Sequence, residues 1–322
     1  MAKRAYNYKN LLLYSAITIL FALTALSASY AGALKAPEHR SFSSPQQAVA
    51  ALVSAVQNNN DAELLHILGP GSEDLISSGD SIADQKGKAR FLKAYKKKNN
   101  LEQKGEGHVV LLVGTKDYPF PIPIVRQGKA WVFDTQAGRE EILDRRIGRN
   151  ELHTIEVMHA YTDAQREYAC MKRKVGEPEF AQKFTSSEGK KDGLYWKTND
   201  GEEESPFGPM IAMATKEGYT GGLGKDRHEP FHGYYFKILK TQGQHAKGGA
   251  FDYVAHGKMI LGFALVAYPA KYRASGVMTF IVNQEGVIYE KDLGEDTASV
   301  AAAMSVFDPD KTWRKYEEPS KQ

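Results

Sequence analysis

The sequence predicts an α+β protein built from two domains. Apolar residues recur at helical spacing between residues 44 and 98 and again between 138 and 171. Short runs rich in β-branched and aromatic residues lie between these stretches and fill most of the second half. We therefore expect a helical N-terminal domain with a small antiparallel sheet (42–171), a linker (172–205), and a C-terminal antiparallel sheet domain with a flanking helix (206–316).

Three helices are predicted at the start of the N-terminal domain. The stretch SPQQ at 44–47 opens the first helix, because serine caps a helix, proline fits its first turn and glutamine completes the cap three residues on. Asp61 is expected to cap the second helix, which ends at the glycines and proline of 69–71. The third helix is expected over residues 84–98.

Strands follow in the same domain. The run HVVLLV at 108–113 is short and apolar, and segments 122–126 and 130–133 are typical of a hairpin around Gly128. The helical period then returns over 138–171, where we predict two helices separated near Gly148. Helices around a few antiparallel strands resemble the cone-shaped, nuclear-transport-factor-2-like class in topology.

Residues 172–205 differ in composition from both flanks. Lys, Glu, Gly, Ser and Asp dominate there, and the apolar spacing fades, which is typical of a domain boundary. Ser205 and Pro206 then open a short helix that ends at Gly218. In the C-terminal domain we predict four strands, at 234–239, 259–268, 277–282 and 287–291. The last two strands are joined by a tight turn at 283–286, and a final helix follows at 297–307.

Residues 1–31 have the three parts of a secretory signal peptide. A start with three cations and no acid precedes an apolar run at 11–28, and small residues then allow cleavage between Ala31 and Gly32. Cleavage would place the protein in the periplasm or outside the cell. The alternative is an uncleaved inner-membrane anchor, since about 18 mostly apolar residues just span a bilayer.

Charge and cysteine content narrow the classes of partner and of site. The formal net charge is +3, and all of the excess falls within the signal segment, so the rest of the chain is balanced. Nucleic-acid binding needs clustered Lys and Arg, so we expect no nucleic-acid partner. The single cysteine, Cys170, excludes an intramolecular disulfide and a thiolate zinc cluster. Its position in an amphipathic helix predicts a buried thiol.

Residues 228–232 spell the H-E-x-x-H motif of zinc peptidases. In that motif His228 and His232 would bind the metal and Glu229 would act as the base, provided that all three lie on one helix. Pro230 opposes this helix, because it lacks an N–H and its ring clashes with the preceding turn. Gly233 and a predicted strand follow at once. We therefore expect a loop with no catalytic residue, no cofactor and no metal. We also expect that the histidines between residues 228 and 256 do not converge on one point.

Several stretches of the chain resemble an exported bacterial family known as domain of unknown function 2950. The matching stretches are GYYF (233–236), GFALVAYP (262–269), SGVMTFIVN (275–283), GVIYEKDLG (286–294), ILGP (67–70) and WVFD (131–134). The resemblance covers nearly the whole chain after the signal segment and implies export. The C-terminal sheet is also loosely similar to pilin-like subunits, but their leader-peptidase site is missing and fibre assembly is not expected.

These observations leave three hypotheses for function. The first is an exported, non-catalytic module that binds an envelope protein or component through its C-terminal sheet and touches the membrane only through an uncleaved signal segment. The second is a metal-dependent or hydrolytic enzyme centred on the loop at 219–232. The third is ligand binding inside the cone-like N-terminal domain, which a closed apolar pocket would support.

Overall fold

A computed structural model describes residues 39–199, 201–219 and 229–318 of the chain. These residues belong to one compact unit that begins at His39. The signal segment, the cleavage position between Ala31 and Gly32, and His228 lie outside the described residues. Within the part that is described, no helix is long and apolar enough to cross a membrane.

The described residues form helices and antiparallel sheets, which confirms the α+β class. The helices are α1 (Pro45–Gln57), α2 (Asp61–Leu68), α3 (Glu73–Ile76), α4 (Ser81–Lys97), α5 (Thr135–Val175), α6 (Gly208–Lys216) and α7 (Thr297–Ala303). The strands are β1 (Asn99–Gln103), β2 (His108–Val113), β3 (Tyr118–Pro119), β4 (Ile124–Gln127), β5 (Ala130–Phe133), β6 (Tyr234–Leu239), β7 (Thr241–Gln242), β8 (Phe251–Asp252), β9 (Val254–Ala255), β10 (Lys258–Met259), β11 (Ala264–Pro269), β12 (Met278–Asn283), β13 (Ile288–Asp292), β14 (Val306–Phe307) and β15 (Arg314–Lys315).

The N-terminal helices pack on an antiparallel sheet with strand order β1-β2-β4-β5, in which β3 pairs with β2. Burial alternates along β2, so one face of the sheet enters the core. The predicted start of α1 is confirmed, because the hydroxyl of Ser44 accepts a hydrogen bond from the N–H of Gln47 at 3.2 Å. The core side chains of this cluster come from both layers and include Leu52, Val56, Leu64, Ile67, Leu111 and Ile124.

The predicted starts of α2 and α4 are wrong by one and by three residues, and strand β1 was not predicted. Asn60, not Asp61, caps α2 through a bond from Glu63 N–H at 3.0 Å. Helix α4 begins at Ser81 because Asp80 caps it, and it ends at Lys97. Strand β1 directly follows, and its polar sequence NNLEQ gave no apolar signal.

The two helices predicted on either side of Gly148 are one continuous helix of 41 residues, α5. A single helix glycine costs only about 1 kcal/mol relative to alanine, and the flanking residues are good helix formers. The helix is about 60 Å long at 1.5 Å per residue. Near its start Ile142 packs on the N-terminal cluster, whereas Tyr161 and Tyr168 are buried in the C-terminal cluster.

Cys170 is exposed, so the prediction of a buried thiol is wrong. The face of α5 that enters the core carries Tyr161, Ala164 and Tyr168, which follow helical spacing. Cys170 lies two residues beyond Tyr168, about 200° around the helix axis, and therefore faces away from the core.

The C-terminal sheet has the strand order β15-β13-β12-β11-β6, and all its neighbouring strands are antiparallel. Strands β6, β12 and β13 confirm the prediction within one residue at each end. Strand β11 begins at Ala264 rather than at 259, because Met259 pairs with Val254 in a separate two-stranded ribbon. The last helix ends at Ala303, earlier than predicted, and β14 follows it.

The segment predicted as a linker contributes to the C-terminal core. Ala181, Phe184 and Leu194 are buried there, and Trp196 is 8% exposed. The predicted division of the chain into two domains stays a prediction.

Candidate binding cavity

A cavity of about 760 Å³ lies between helices α1, α2, α4 and α5, with the segments around Glu217 and His232 at one end. This volume falls within the range of pockets that bind small molecules. We call it the main cavity. Its lining changes from apolar to polar along its length, and each part is positioned by a different set of elements.

The apolar part of the main cavity is formed by the N-terminal cluster. The side chains that line it are Leu52, Val56, Leu64, Leu68, Leu75, Ile76, Phe91, Phe120, Ile122 and Ile142. Most of them are also members of the N-terminal core, so the cavity is an extension of that core. An apolar wall of this kind favours a ligand with a hydrocarbon or aromatic portion.

Helix α4 forms one wall and contains no fully buried residue over its 17 positions. Phe91 is only half-buried, because it faces the cavity. Gly87 lines the cavity too, and a Cβ at this position would meet only one atom within 4 Å, the Nη2 of Arg90 at 3.9 Å. A side chain at position 87 would therefore enter open space.

Helix α5 forms a second wall with one of its faces. Ile142, Arg146, Arg149 and His153 line the cavity at spacings of three and four residues, which places them on one side of the helix. The stretch from Ile142 to His153 is about 16 Å long. Since it begins with an aliphatic side chain and ends with an imidazole, it gives the cavity its polarity gradient.

Glu217 stands at the polar end and contacts two basic groups. Its Oε2 accepts a hydrogen bond from Lys86 Nζ at 2.9 Å and lies 3.2 Å from His232 Nε2. Burial opposes ionisation, but Lys86 and His232 outweigh it and lower the pKa of Glu217. The carboxylate is therefore charged at neutral pH and is already engaged by the ammonium group of Lys86.

His232 lies against His153, with 4.3 Å between the two ring centroids. Burial and then the neighbouring His153 lower the pKa of His232 to about 4, against the opposing effect of Glu217. His232 is therefore neutral at pH 7. The Nδ1 atom of His153 is buried and has no hydrogen-bond partner among the described residues.

A buried carboxylate fixes the polar end to the rest of the fold. The Oδ2 of Asp80 accepts hydrogen bonds from the hydroxyl of Tyr219 at 2.9 Å and from the N–H of Gly233 at 2.8 Å. Its Oδ1 accepts from the N–H of Ala83 and so caps α4. The Tyr219 oxygen accepts in turn from the N–H of His232 at 3.3 Å. Asp80 thus connects the α4 wall to both segments that carry the polar groups.

The predicted site residues are placed as follows. Over residues 229–233 the backbone is not helical, which confirms the prediction for the described part of the motif. Glu229 is exposed, whereas His232 faces the cavity. His245 pairs with Asp308 at 2.9 Å, and His256 is an exposed turn residue. Among the residues that the structure describes, no three His, Cys, Asp or Glu side chains form a group suited to a metal ion.

Apart from His232, sequence reasoning missed the residues that form the polar end. Asp80 sits in a segment that reads as an ordinary turn, and His153 and Arg149 read as surface positions of a helix. Two hypotheses pointed to this region: an enzyme centred on the loop at 219–232, and ligand binding in an apolar pocket of a cone-like domain. A capping pattern before α4 was the one local signal for Asp80, since Asp at an N-cap is common.

The fold and the main cavity together define an α+β protein with a partly open cavity that is apolar at one end and polar at the other. Residues 39–316 match the family described as Protein of unknown function (DUF2950), and the chain belongs to that family. The resemblance seen in the sequence is thereby confirmed. No curated protein matches the chain, and no solved structure matches it.

Proposed function

We propose that the protein is an exported, non-catalytic binding protein whose main cavity takes a small molecule with an extended apolar portion. The observation that carries this proposal is the cavity itself, about 760 Å³ in volume and lined over much of its length by aliphatic and aromatic side chains. Core side chains normally pack without such voids. A space of this size next to a well-formed core therefore favours a ligand as its occupant.

The cavity supports a more specific binding site than the C-terminal sheet, which the sequence had suggested as the binding surface. The two central strands of that sheet are largely buried, and Ala264–Pro269 is buried along its whole length. The cavity, by contrast, presents apolar surface to a ligand. An envelope component with a hydrocarbon chain suits both this cavity and export.

A chain-length series tests the proposal. Each buried methylene contributes about 0.8 kcal/mol. We therefore expect the affinity of the purified protein for straight-chain fatty acids to rise roughly tenfold for every two added carbons until the cavity is filled. Calorimetric titration with the acids measures this. Affinities that do not depend on chain length would contradict the proposal.

A blocking variant shows whether binding takes place in the cavity. Gly87→Leu puts an apolar side chain into open space of the cavity and removes a helix glycine, so the protein should keep or gain stability while losing ligand binding. Gly148→Leu is the matched control, because Gly148 is also a helix glycine with nothing within 4 Å and does not line the cavity. Unchanged binding by a folded Gly87→Leu protein would rule out the cavity as the site.

Export is a part of the proposal that is tested separately. When the full chain is expressed in a bacterium, we expect the soluble periplasmic or secreted fraction to contain a protein whose first residue is Gly32. Mass spectrometry of the intact protein measures this. Material found only in the inner membrane with residues 1–31 retained would support the anchored alternative.

The pairing of His232 with Glu217 favours a hydrolytic enzyme as a second candidate. A neutral imidazole beside a carboxylate in a cavity is an arrangement that general-base catalysis uses. Turnover of p-nitrophenyl acyl esters that disappears in the His232→Asn variant would support this candidate. If the unaltered protein and the His232→Asn variant hydrolyse the esters at the same rate, binding remains the proposed function.

A further inference from the structure

The main cavity carries an excess of basic side chains. The basic residues that line it are Lys86, Lys88, Arg90, Lys93, Arg146 and Arg149, and the acidic ones are Asp84 and Glu217. The acidic groups already have partners within the protein. Asp84 accepts a hydrogen bond from the N–H of Ser78 at 2.9 Å, and Glu217 is held by Lys86.

The basic residues fall into two groups. Lys86 and Lys88 pair with Glu217 and Asp61. The guanidinium of Arg146 is used by the fold, because it donates to the carbonyl oxygens of Asp74 at 2.5 Å and Leu75 at 2.7 Å, and also to that of Ala274. These contacts leave Arg146 little capacity for a ligand.

The second group consists of Arg90, Lys93 and Arg149, and it has no such partners. Within residues 39–199, 201–219 and 229–318, none of the three forms an ion pair or a side-chain hydrogen bond. All three line the cavity and are also exposed, which places them at its opening. Arg90 lies on α4 and Arg149 on α5, so the two guanidinium groups reach the opening from two different helices.

We propose that Arg90 and Arg149, assisted by Lys93, bind the oxyanion head of an amphiphile whose apolar chain lies in the main cavity. This inference rests on the proposed binding function and adds the head group to it. A carboxylate or a phosphate matches the planar fork of guanidinium donors. The open position of the three side chains lets a large head group remain in solvent while its anionic oxygens are bound. The head group and the chain thus contribute to affinity through separate residues.

The experiment compares heads of different charge on chains of equal length. We expect the protein to bind dodecanoate and dodecyl phosphate at least tenfold more tightly than dodecanol. The Arg90→Gln, Arg149→Gln double variant should lose ten- to a hundredfold in affinity for the two anions, as expected when charge-assisted hydrogen bonds are removed. Its affinity for dodecanol should stay the same. Since both arginines are exposed and unpaired among the described residues, the melting temperature should change little.

Arg173→Gln is the matched control, because Arg173 is an exposed arginine of α5 that does not line the cavity. Equal binding of dodecanol and dodecanoate by the unaltered protein would overturn the inference about the head group and leave cavity binding in place. Unchanged anion binding by the double variant would overturn it as well. Inorganic phosphate that binds as tightly as dodecyl phosphate would show a free-anion site instead. Failure of all the dodecyl ligands to bind would remove the proposed function itself.

Discussion

The carboxylate of Asp80 accepts a hydrogen bond from the backbone N–H of Gly233 over 2.8 Å, although 153 positions separate the two residues. The same oxygen accepts a hydrogen bond from the hydroxyl of Tyr219. Burial raises the pKa of that hydroxyl, and the negative charge of Asp80 raises it further. One side chain thus joins the start of α4 to the segments that hold the polar end of the main cavity. The shape of that end depends on it.

Asp80→Ala should lower the free energy of unfolding by about 3 kcal/mol or more. The change leaves the N–H groups of Ala83 and Gly233 and the hydroxyl of Tyr219 without their acceptor, and buried donors left unpaired cost about 1–3 kcal/mol each. Urea-induced unfolding measures the loss. Asp134→Ala is the control, because Asp134 caps α5 through Ala137 alone and should cost about 1 kcal/mol. Equal losses in the two variants would show that the long-range bonds of Asp80 contribute nothing.

Gly233→Ala should be destabilising for two separate reasons. The residue has φ = +79°, and a Cβ there would lie 2.6 Å from Asn150 Nδ2 and 2.9 Å from Ser275 Cβ. Asn150 cannot easily move away, since it is buried and donates to the Ser275 carbonyl at 2.8 Å. We expect a loss of more than 2 kcal/mol in the free energy of unfolding.

Gly128→Ala separates the two effects that act at Gly233. Gly128 has φ = +62°, and no atom of the described residues lies within 4 Å of a Cβ at that position. Only the backbone strain remains in Gly128→Ala, so the free energy of unfolding should fall by about 1 kcal/mol. If the two alanine variants unfold at the same urea concentration, the close contacts around Gly233 carry no cost.

Much of the fold follows from local patterns in the sequence. Strand β12 was predicted within one residue because its run of β-branched and aromatic residues ends at a turn closed by Gly286. The start of α1 was predicted because its cap depends on four consecutive residues. Signals of this kind need no knowledge of distant parts of the chain.

The main cavity could not be predicted in the same way. Its lining comes from residues as far apart as Leu52 and His232, and their meeting depends on how α4 and α5 pack. The difference between Arg146 and Arg149 also depends on tertiary structure, since both lie in α5 and only Arg146 reaches the carbonyl groups at the end of α3. The continuity of α5 through Gly148 was missed because glycine weakens a helix locally without deciding its length.

Cys170 should react with a thiol reagent in the folded protein. Its side chain is exposed on α5, so a maleimide should label it stoichiometrically without denaturant. Intact mass spectrometry measures the added group, and Cys170→Ser should remain unlabelled. Labelling that requires urea would contradict the exposed position.

The free energy of unfolding should depend on the protonation of His232. An unfolded histidine titrates near pH 6.5, whereas in the folded protein burial and His153 lower the pKa of His232 to about 4. Between these two values the unfolded chain binds the proton and the folded protein does not. The free energy of unfolding therefore falls as the pH is lowered from 6.5 toward 4, by about 3 kcal/mol from this group alone.

In the His232→Asn variant, the free energy of unfolding should depend less on pH between 6.5 and 4. Asparagine tolerates the backbone at this position, where φ is +49°, and Glu217 keeps its bond from Lys86 in the variant. Urea unfolding of both proteins at several pH values between 4 and 8 gives the difference between their free energies of unfolding. The titration of Glu217 largely cancels in this difference, because both proteins contain Glu217. His256→Asn is the control, because His256 is an exposed histidine with φ = +50°. A difference between the unaltered protein and His232→Asn that is constant from pH 8 to pH 4 would show that His232 does not carry the effect.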